Sequence, residues 1–137
     1  MGINYLAVLI AVAAQFGVGF LWYGPLFGKL WGKIHGFDKL SKETQEKMMK
    51  SMGPMYGVQL LVTVISTVVL AIFINNLPGW NAYGMAAFFW LGFVMPAQVS
   101  AVIFGGTEGK WIVKKIGVQT FEALIRLLVA AAILSNF

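Results

Sequence analysis

Glu122 and Arg126 are the residues of this chain best placed to do chemistry. They stand four apart in a segment that is otherwise apolar from Ile116 to Leu134. On a helix that spacing puts both side chains on one face, with the carboxylate N-terminal to the cation, the favourable order for an intrahelical pair. A charge near the middle of a bilayer costs about 2.5–3.5 kcal/mol on insertion scales, so the pair must look into a polar or protein-lined space. Lys115 and Gln119 continue the same face, and Gln15, Gln59 and Gln98 lie inside other apolar segments. At a rise of 1.5 Å per residue, Gln15 falls about 3 Å to the lysine-rich side of its segment's midpoint, Gln59 and Gln98 about 7–8 Å, Gln119 about 9 Å and Glu122 about 4–5 Å. The six residues Glu122, Arg126, Gln119, Gln15, Gln59 and Gln98 therefore define a candidate polar cavity. Its chemistry would be the binding or passage of a small polar solute or ion, or a proton relay. The other reading is that these groups hydrogen-bond across helices and fix their packing. The sequence leaves both open.

Little else could support a reaction. The chain has no cysteine and one histidine, His35. That excludes a disulfide framework, thiolate chemistry and a cysteine or histidine-cluster metal site. Neither a phosphate-binding G-x-x-x-x-G-K-[ST] loop nor a G-x-S-x-G elbow occurs. No catalytic residue, metal site or cofactor is expected, and an enzyme is not the expected class.

The elements that must position the polar face follow from composition. Of 137 residues, 59% are apolar and 11% charged, with a mean hydropathy of +0.80. A soluble domain typically has about 45–50% and 25%. A soluble enzyme, a disordered tail and a nucleic-acid-binding domain are excluded despite a net charge of +5. Four apolar segments, at about 3–23, 55–74, 82–104 and 116–134, have the length of about 20 residues that crosses a bilayer as a helix. The first has no Lys or Arg before it and is longer than a signal-peptide core, so it is expected to stay in the mature protein. Gly24-Pro25, Gly53-Pro54, Asn75–Gly79 and Gly105–Gly109 punctuate the joints. Pro96 removes a backbone donor within the third segment and predicts a kink at Gly92. The expected fold is all-α, an integral membrane bundle of four transmembrane helices in one domain over residues 1–137.

The lysines orient it. All nine lie in or beside the first and third connections, and the second connection has no charged side chain. The positive-inside rule makes that side cytoplasmic, with both termini outside. Trp22, Tyr23, Trp31, Tyr56 and Trp111 fall near the inner interface, and Tyr5, Trp80, Tyr83 and Phe137 near the outer one, as an aromatic belt would. Trp90 lies mid-span, where packing is the expected role.

The cytoplasmic connection 24–54 opens with a four-residue repeat built on Gly24, Gly28, Gly32 and Gly36. As a helix it would carry stripes of glycine, of Leu26, Leu30 and Ile34, of Phe27, Trp31 and His35, and of Lys29 and Lys33. An interfacial amphipathic helix between spans 1 and 2 is expected, with Gly28, Lys29, Trp31, Gly32, Lys33 and His35 toward anionic lipid headgroups. The glycines signal either close backbone approach or a stretch that is not one regular helix. His35 is expected as an interfacial residue, a ligand or proton carrier being the alternative. Residues 41–52 read as a second, wetter helix capped by Ser41. Met48, Met49, Met52 and Met55 give it an adaptable apolar side that could rest on the bilayer or dock a partner. Ala7, Ala11 and Ala14, with Ala13 and Gly17, offer faces for close helix contact within the bundle or between protomers.

Asn4-Tyr-Leu-Ala-Val-Leu at the start, Trp22-Tyr23-x-Pro25-Leu26-Phe27-Gly28-x-x-Trp31 after the first span, and a charged, Gly-rich joint before the last apolar helix resemble the domain-of-unknown-function 1761 family. The resemblance covers nearly the whole chain and implies a small prokaryotic membrane protein with four spans. It implies no activity and carries over no functional residue. The function expected is therefore a channel, transporter or binder for a small polar solute or ion. Four spans barely enclose a solute path, which favours a homo-oligomer, a dimer first. The alternative is an interaction protein that docks a partner through residues 26–52. Both sit in a prokaryotic plasma membrane, with anionic lipid and no nucleic acid as partners.

Overall fold

The computed structural model describes residues 2–137, and among them the chain is helical with no strand. Four helices are long and apolar enough to cross a membrane: α1 (Tyr5–Leu26), α4 (Gly53–Asn76), α5 (Ala82–Phe104) and α6 (Gly109–Asn136). Between the first two lie the short α2 (Gly28–Ile34) and α3 (Lys42–Ser51). The protein is thus a multi-pass membrane protein of the all-α class.

Side-chain caps begin three of these helices. Asn4 accepts from the Ala7 N–H at 3.1 Å, and Asn81 from the N–H groups of Tyr83 and Gly84 at 2.9 and 3.1 Å. Ser41 accepts from the Thr44 N–H at 3.2 Å. Each cap satisfies amides that the first helical turn leaves without a carbonyl. The α5 bounds coincide with the apolar segment, whereas α6 begins seven residues before Ile116. Hydropathy marks where lysines start and not where the helix does: Lys110, Lys114 and Lys115 are helical but polar. The 28 residues of α6 span about 42 Å, more than the roughly 30 Å of hydrocarbon.

The last helix is the centre of the bundle. It packs against α1, α4 and α5, and α1 also packs against α4. Small side chains make this possible: Ala7, Ala11, Ala86, Ala123, Ala130 and Ala131 are almost completely buried. In the half away from the lysines, Ala11, Leu70 and Ala130 join α1, α4 and α6, beside Val8, Val12 and Ala71. The Ala7–Ala11 side of α1 is thus used within the bundle. Ala13 is exposed and Gly17 has open space where a Cβ would stand.

Two spans contain a π-helical turn near a proline. In α1 it covers Trp22–Leu26, and the Phe27 N–H donates to the Trp22 carbonyl at 2.8 Å. In α5 it covers Trp90–Val94, and the Met95 N–H donates to the Trp90 carbonyl. Each turn closes from i to i+5 and so absorbs one extra residue where proline interrupts the ladder. The irregularity expected from Pro96 therefore takes the form of a wide turn just before it.

The glycine repeat crosses several backbone states. Gly24 lies in the π turn with open space around it. The chain breaks at Phe27 (φ −123°, ψ 11°), and α2 starts at Gly28, where a Cβ would stand 2.8 Å from the Tyr23 carbonyl oxygen. Gly36 ends α2 in the left-handed region, at φ +71°. The repeat is not one helix, and its glycines answer local geometry and not a common packing stripe.

Candidate functional site

Glu122 is placed by α6, the helix with the most neighbours, and only 4% of it is exposed. Its Oε2 accepts from the Arg126 Nε–H at 2.5 Å, within one turn of the same helix. A quarter of the Arg126 side chain remains accessible, against 5% for Glu122. The two charges compensate each other on one helix, and no ion pair from another helix joins them among the described residues. Glu122 and Arg126 are thus brought together as their spacing requires.

Two tryptophans fix α6 just below the carboxylate. The Trp22 Nε1–H donates to the Val118 carbonyl at 2.9 Å, and the Trp90 Nε1–H to the Thr120 carbonyl at 2.7 Å. Both rings are half-buried and both begin a π turn, so the extra residue aims each indole at α6. Each carbonyl has a second lone pair free for the indole while it serves the helix ladder. Beyond the aromatic belt position expected of it, Trp22 holds two helices together. Trp90 does the same from the other side. The signal available in the sequence was the placement of each Trp ahead of a proline, which composition alone does not single out.

Tyr23 was also read as a belt residue. Its side chain is half-buried and within electrostatic range of both Glu122 and Arg126. Its ring packs at a tilt against Trp31, with centroids 4.7 Å apart, and Trp31 meets His35 edge-on at 4.5 Å. The Lys115 ammonium lies 5.7 Å from the Trp31 ring centroid. An aromatic series therefore runs from Tyr23 through Trp31 to His35 at the lysine-rich end.

The glutamines divide. Gln15 is buried, and its Nε2 donates to the Thr67 hydroxyl at 2.8 Å and to the Ala11 carbonyl at 3.2 Å. The Thr67 hydroxyl donates in turn to the Thr63 carbonyl at 2.6 Å, and Gln59 Nε2 donates to the Thr63 hydroxyl at 3.1 Å. Gln15 and Gln59 so share one chain along α4, although Gln59 is exposed. Gln98 is half-buried, and its Oε1 is enclosed without a hydrogen-bond partner. Gln119 makes no hydrogen bond among the described residues. The six polar residues therefore form an ion pair, a hydroxyl–amide chain and two separate amides, not one bonded network. Hydroxyls were the missing ingredient: Thr63 and Thr67 connect what the glutamines alone do not.

In the interfacial segment, Lys29 and Lys33 are exposed, and Gly32 lies beside the Phe37 side chain. His35 is exposed and its Nδ1 lies 2.8 Å from the Trp31 carbonyl, so that nitrogen carries the hydrogen. Ile34 is buried, which seats α2 on the bundle. Among the described residues no group of three or more His, Asp or Glu is arranged to hold a metal ion. Two surface pockets lie at the lysine-rich end, and neither is lined by Glu122 or Arg126.

No curated protein and no solved structure matches the chain. A family model described as "Protein of unknown function (DUF1761)" matches residues 6–135, nearly the whole length, and the chain belongs to that family.

Proposed function

We propose that the protein binds and passes a small polar solute or ion at Glu122 and Arg126, as a homo-oligomer in a prokaryotic plasma membrane. One observation carries the reading. Of the five N–H donors of a guanidinium, only that on Nε of Arg126 is engaged by another described residue. Half-way along a membrane span, donors without a partner cost free energy unless water, a solute or another protomer meets them. Glu122 already balances the charge, so the remaining donors suit an acceptor-bearing guest such as an anion, a carboxylate or a carbonyl. The lysine-rich end faces the cytoplasm in this reading, and both termini lie outside. Only 6% of the apolar window of α5 is buried within one chain, which leaves that helix free to line a contact with a second copy. Two-fold symmetry is the commonest way to close such a contact.

Flux into liposomes containing the purified protein tests this. Protons, potassium, chloride and a small carboxylate are followed separately, wild type against Arg126→Ala. Passage of at least one by the wild type, lost in a variant that stays monodisperse, supports the reading. Absence of flux for every probe overturns it.

A second reading, docking of a partner protein through residues 26–52, is favoured by α3. That helix has no buried residue and exposes Met48 and Met49, with Met52 exposed at its C-cap. In-cell cross-linking from α3 that depends on those methionines, and is lost when all three become Ser, would support it.

A further inference from the structure

The lysine-rich end carries a groove of about 280 Å³ between the α2 end and the joint before α6. Lys33, His35 and Lys39 line one wall, and Thr107, Trp111 and Lys115 the other. We propose that this groove binds the headgroup of a doubly anionic phospholipid, with Lys33, Lys39 and Lys115 as its phosphate-binding residues.

The charge argument comes first. Three lysines line one concavity, and none of them is in an ion pair among the described residues; the Lys115 ammonium donates to the Thr107 hydroxyl, also on the groove wall, at 3.5 Å. The acid that lines the same groove, Glu108, is paired outside this set, with Lys110 at 3.6 Å. The C-terminal ends of α2 and α5 also face this region, each contributing roughly half a negative charge. One carbonyl in the last turn of each accepts a backbone bond, Lys33 from the Gly36 N–H and Val102 from the Gly105 N–H. Three full positive charges exceed what those ends supply, so the groove stays cationic and its lysines repel one another until an anion enters.

Geometry and depth then select the anion. The wall turns are tight: Gly36 and Gly106 have φ of +71° and +77°, and both line the groove. Such turns leave no Cβ in the opening, so a bulky group can approach the backbone. At roughly 30 Å³ per water, the groove has room for a group well beyond a single phosphate. It opens where the spans end, between Phe104 of α5 and the start of α6. Trp31 and Trp111 stand at the same level, and the Lys114 ammonium lies 5.3 Å from the Trp111 ring centroid. Tryptophan beside lysine at a span end is the setting of lipid headgroups. A basic recess between helices at that level fits two phosphates of one lipid better than scattered monoanions.

The test uses the whole purified chain in phosphatidylcholine nanodiscs doped with diphosphatidylglycerol, with phosphatidylglycerol, or with neither. Lipid retention is read by native mass spectrometry and thermal stability by fluorescence. The wild type is expected to retain diphosphatidylglycerol and to gain stability from it. Lys33→Gln with Lys39→Gln should weaken retention about 30-fold, each lysine near a membrane surface being worth about a factor of five. Both lysines are on the surface, so this variant keeps its fold; Lys115→Gln serves as the second probe. Lys42→Gln with Lys50→Gln on α3 removes equal charge away from the groove and should leave retention unchanged. Equal loss in that control would show unspecific surface charge and overturn the site. Equal binding of phosphatidylglycerol would overturn the choice of a doubly anionic lipid. Competition by inorganic pyrophosphate at the lipid's own concentration would make the ligand a free anion and overturn the lipid assignment.

Discussion

Replacing Glu122 by Gln tests whether the buried pair is a unit. The amide keeps an oxygen that can accept from Arg126 Nε, so the bond geometry survives and only the negative charge is lost. The guanidinium cannot shed its proton. It is left as an uncompensated cation with three quarters of its side chain covered. Insertion scales put such a charge at about 2.5–3.5 kcal/mol, and breaking one side of a buried pair costs about 3–5 kcal/mol. The partial exposure of Arg126 places the expected loss at the lower end, about 2–3 kcal/mol. For a chain of 137 residues that is a fall in Tm of roughly 10 °C. Glu122→Gln combined with Arg126→Gln removes both charges and leaves two amides at hydrogen-bonding spacing, so it should return to within about 1 kcal/mol of wild type. The assay is thermal unfolding and monodisperse yield of the three proteins in one detergent. A single variant as stable as wild type, or a double variant as unstable as the single, refutes the argument that each charge is there to neutralise the other.

The indole bonds make a second expectation: Trp22→Phe and Trp90→Phe keep most of the ring area and remove one hydrogen bond each, costing about 1 kcal/mol apiece by thermal unfolding. Thr67→Val keeps shape but takes the acceptor from buried Gln15, and should cost about 1–3 kcal/mol, most of it recovered when Gln15→Leu is added. Gly28→Ala would push a Cβ against the Tyr23 carbonyl and destabilise, whereas Gly32→Ala meets only a side chain at 3.9 Å and should be neutral or stabilising by up to about 1 kcal/mol. Cysteines placed at Ser41 and Asn81 should label from opposite sides of intact cells, Asn81 from outside; the reverse pattern would invert the orientation.

The spans were legible because a bilayer demands one thing of every residue in them. Ala82 to Phe104 reads as apolar but for Gln98 and Ser100, carries no charge, and is a helix from end to end. The Glu122–Arg126 pair was legible because its partners lie on one helix, where spacing alone sets distance. Contacts between helices were not. Gln15 could have faced any of three neighbours, and it meets Thr67, a residue whose hydroxyl can also bond back to its own helix. It does bond there, and it accepts from Gln15 as well. The glycine repeat left two readings open for a related reason, and the one without a single regular helix holds. Spacing of four implies a helical stripe only if the backbone is helical throughout, and Pro25 sets a wide turn just ahead of Gly28.

That wide turn bears on the polar pair. One residue of rotation in an α-helix is 100°, enough to carry Glu122 from the bundle interior toward the surface. The packing of α6 relies on alanines at Ala123, Ala130 and Ala131, which are small and resist such a rotation weakly. Directional bonds resist it better. Trp22 and Trp90 reach α6 from two different helices and hold carbonyls two residues apart, at Val118 and Thr120. Carbonyls two apart point about 160° from one another around the axis, so the two indoles grip opposite flanks of the helix. A rotation that relaxes one bond strains the other. The prolines matter through this geometry: without the extra residue in each π turn, neither indole would have the same direction. The burial of Glu122 is therefore set by residues on α1 and α5 as much as by its own helix. Trp22→Phe with Trp90→Phe should accordingly raise the accessibility of a carboxylate reagent to Glu122, while either single change should leave it largely protected by the remaining bond. Equal protection of Glu122 in wild type and the double variant would show that alanine packing alone fixes the helix.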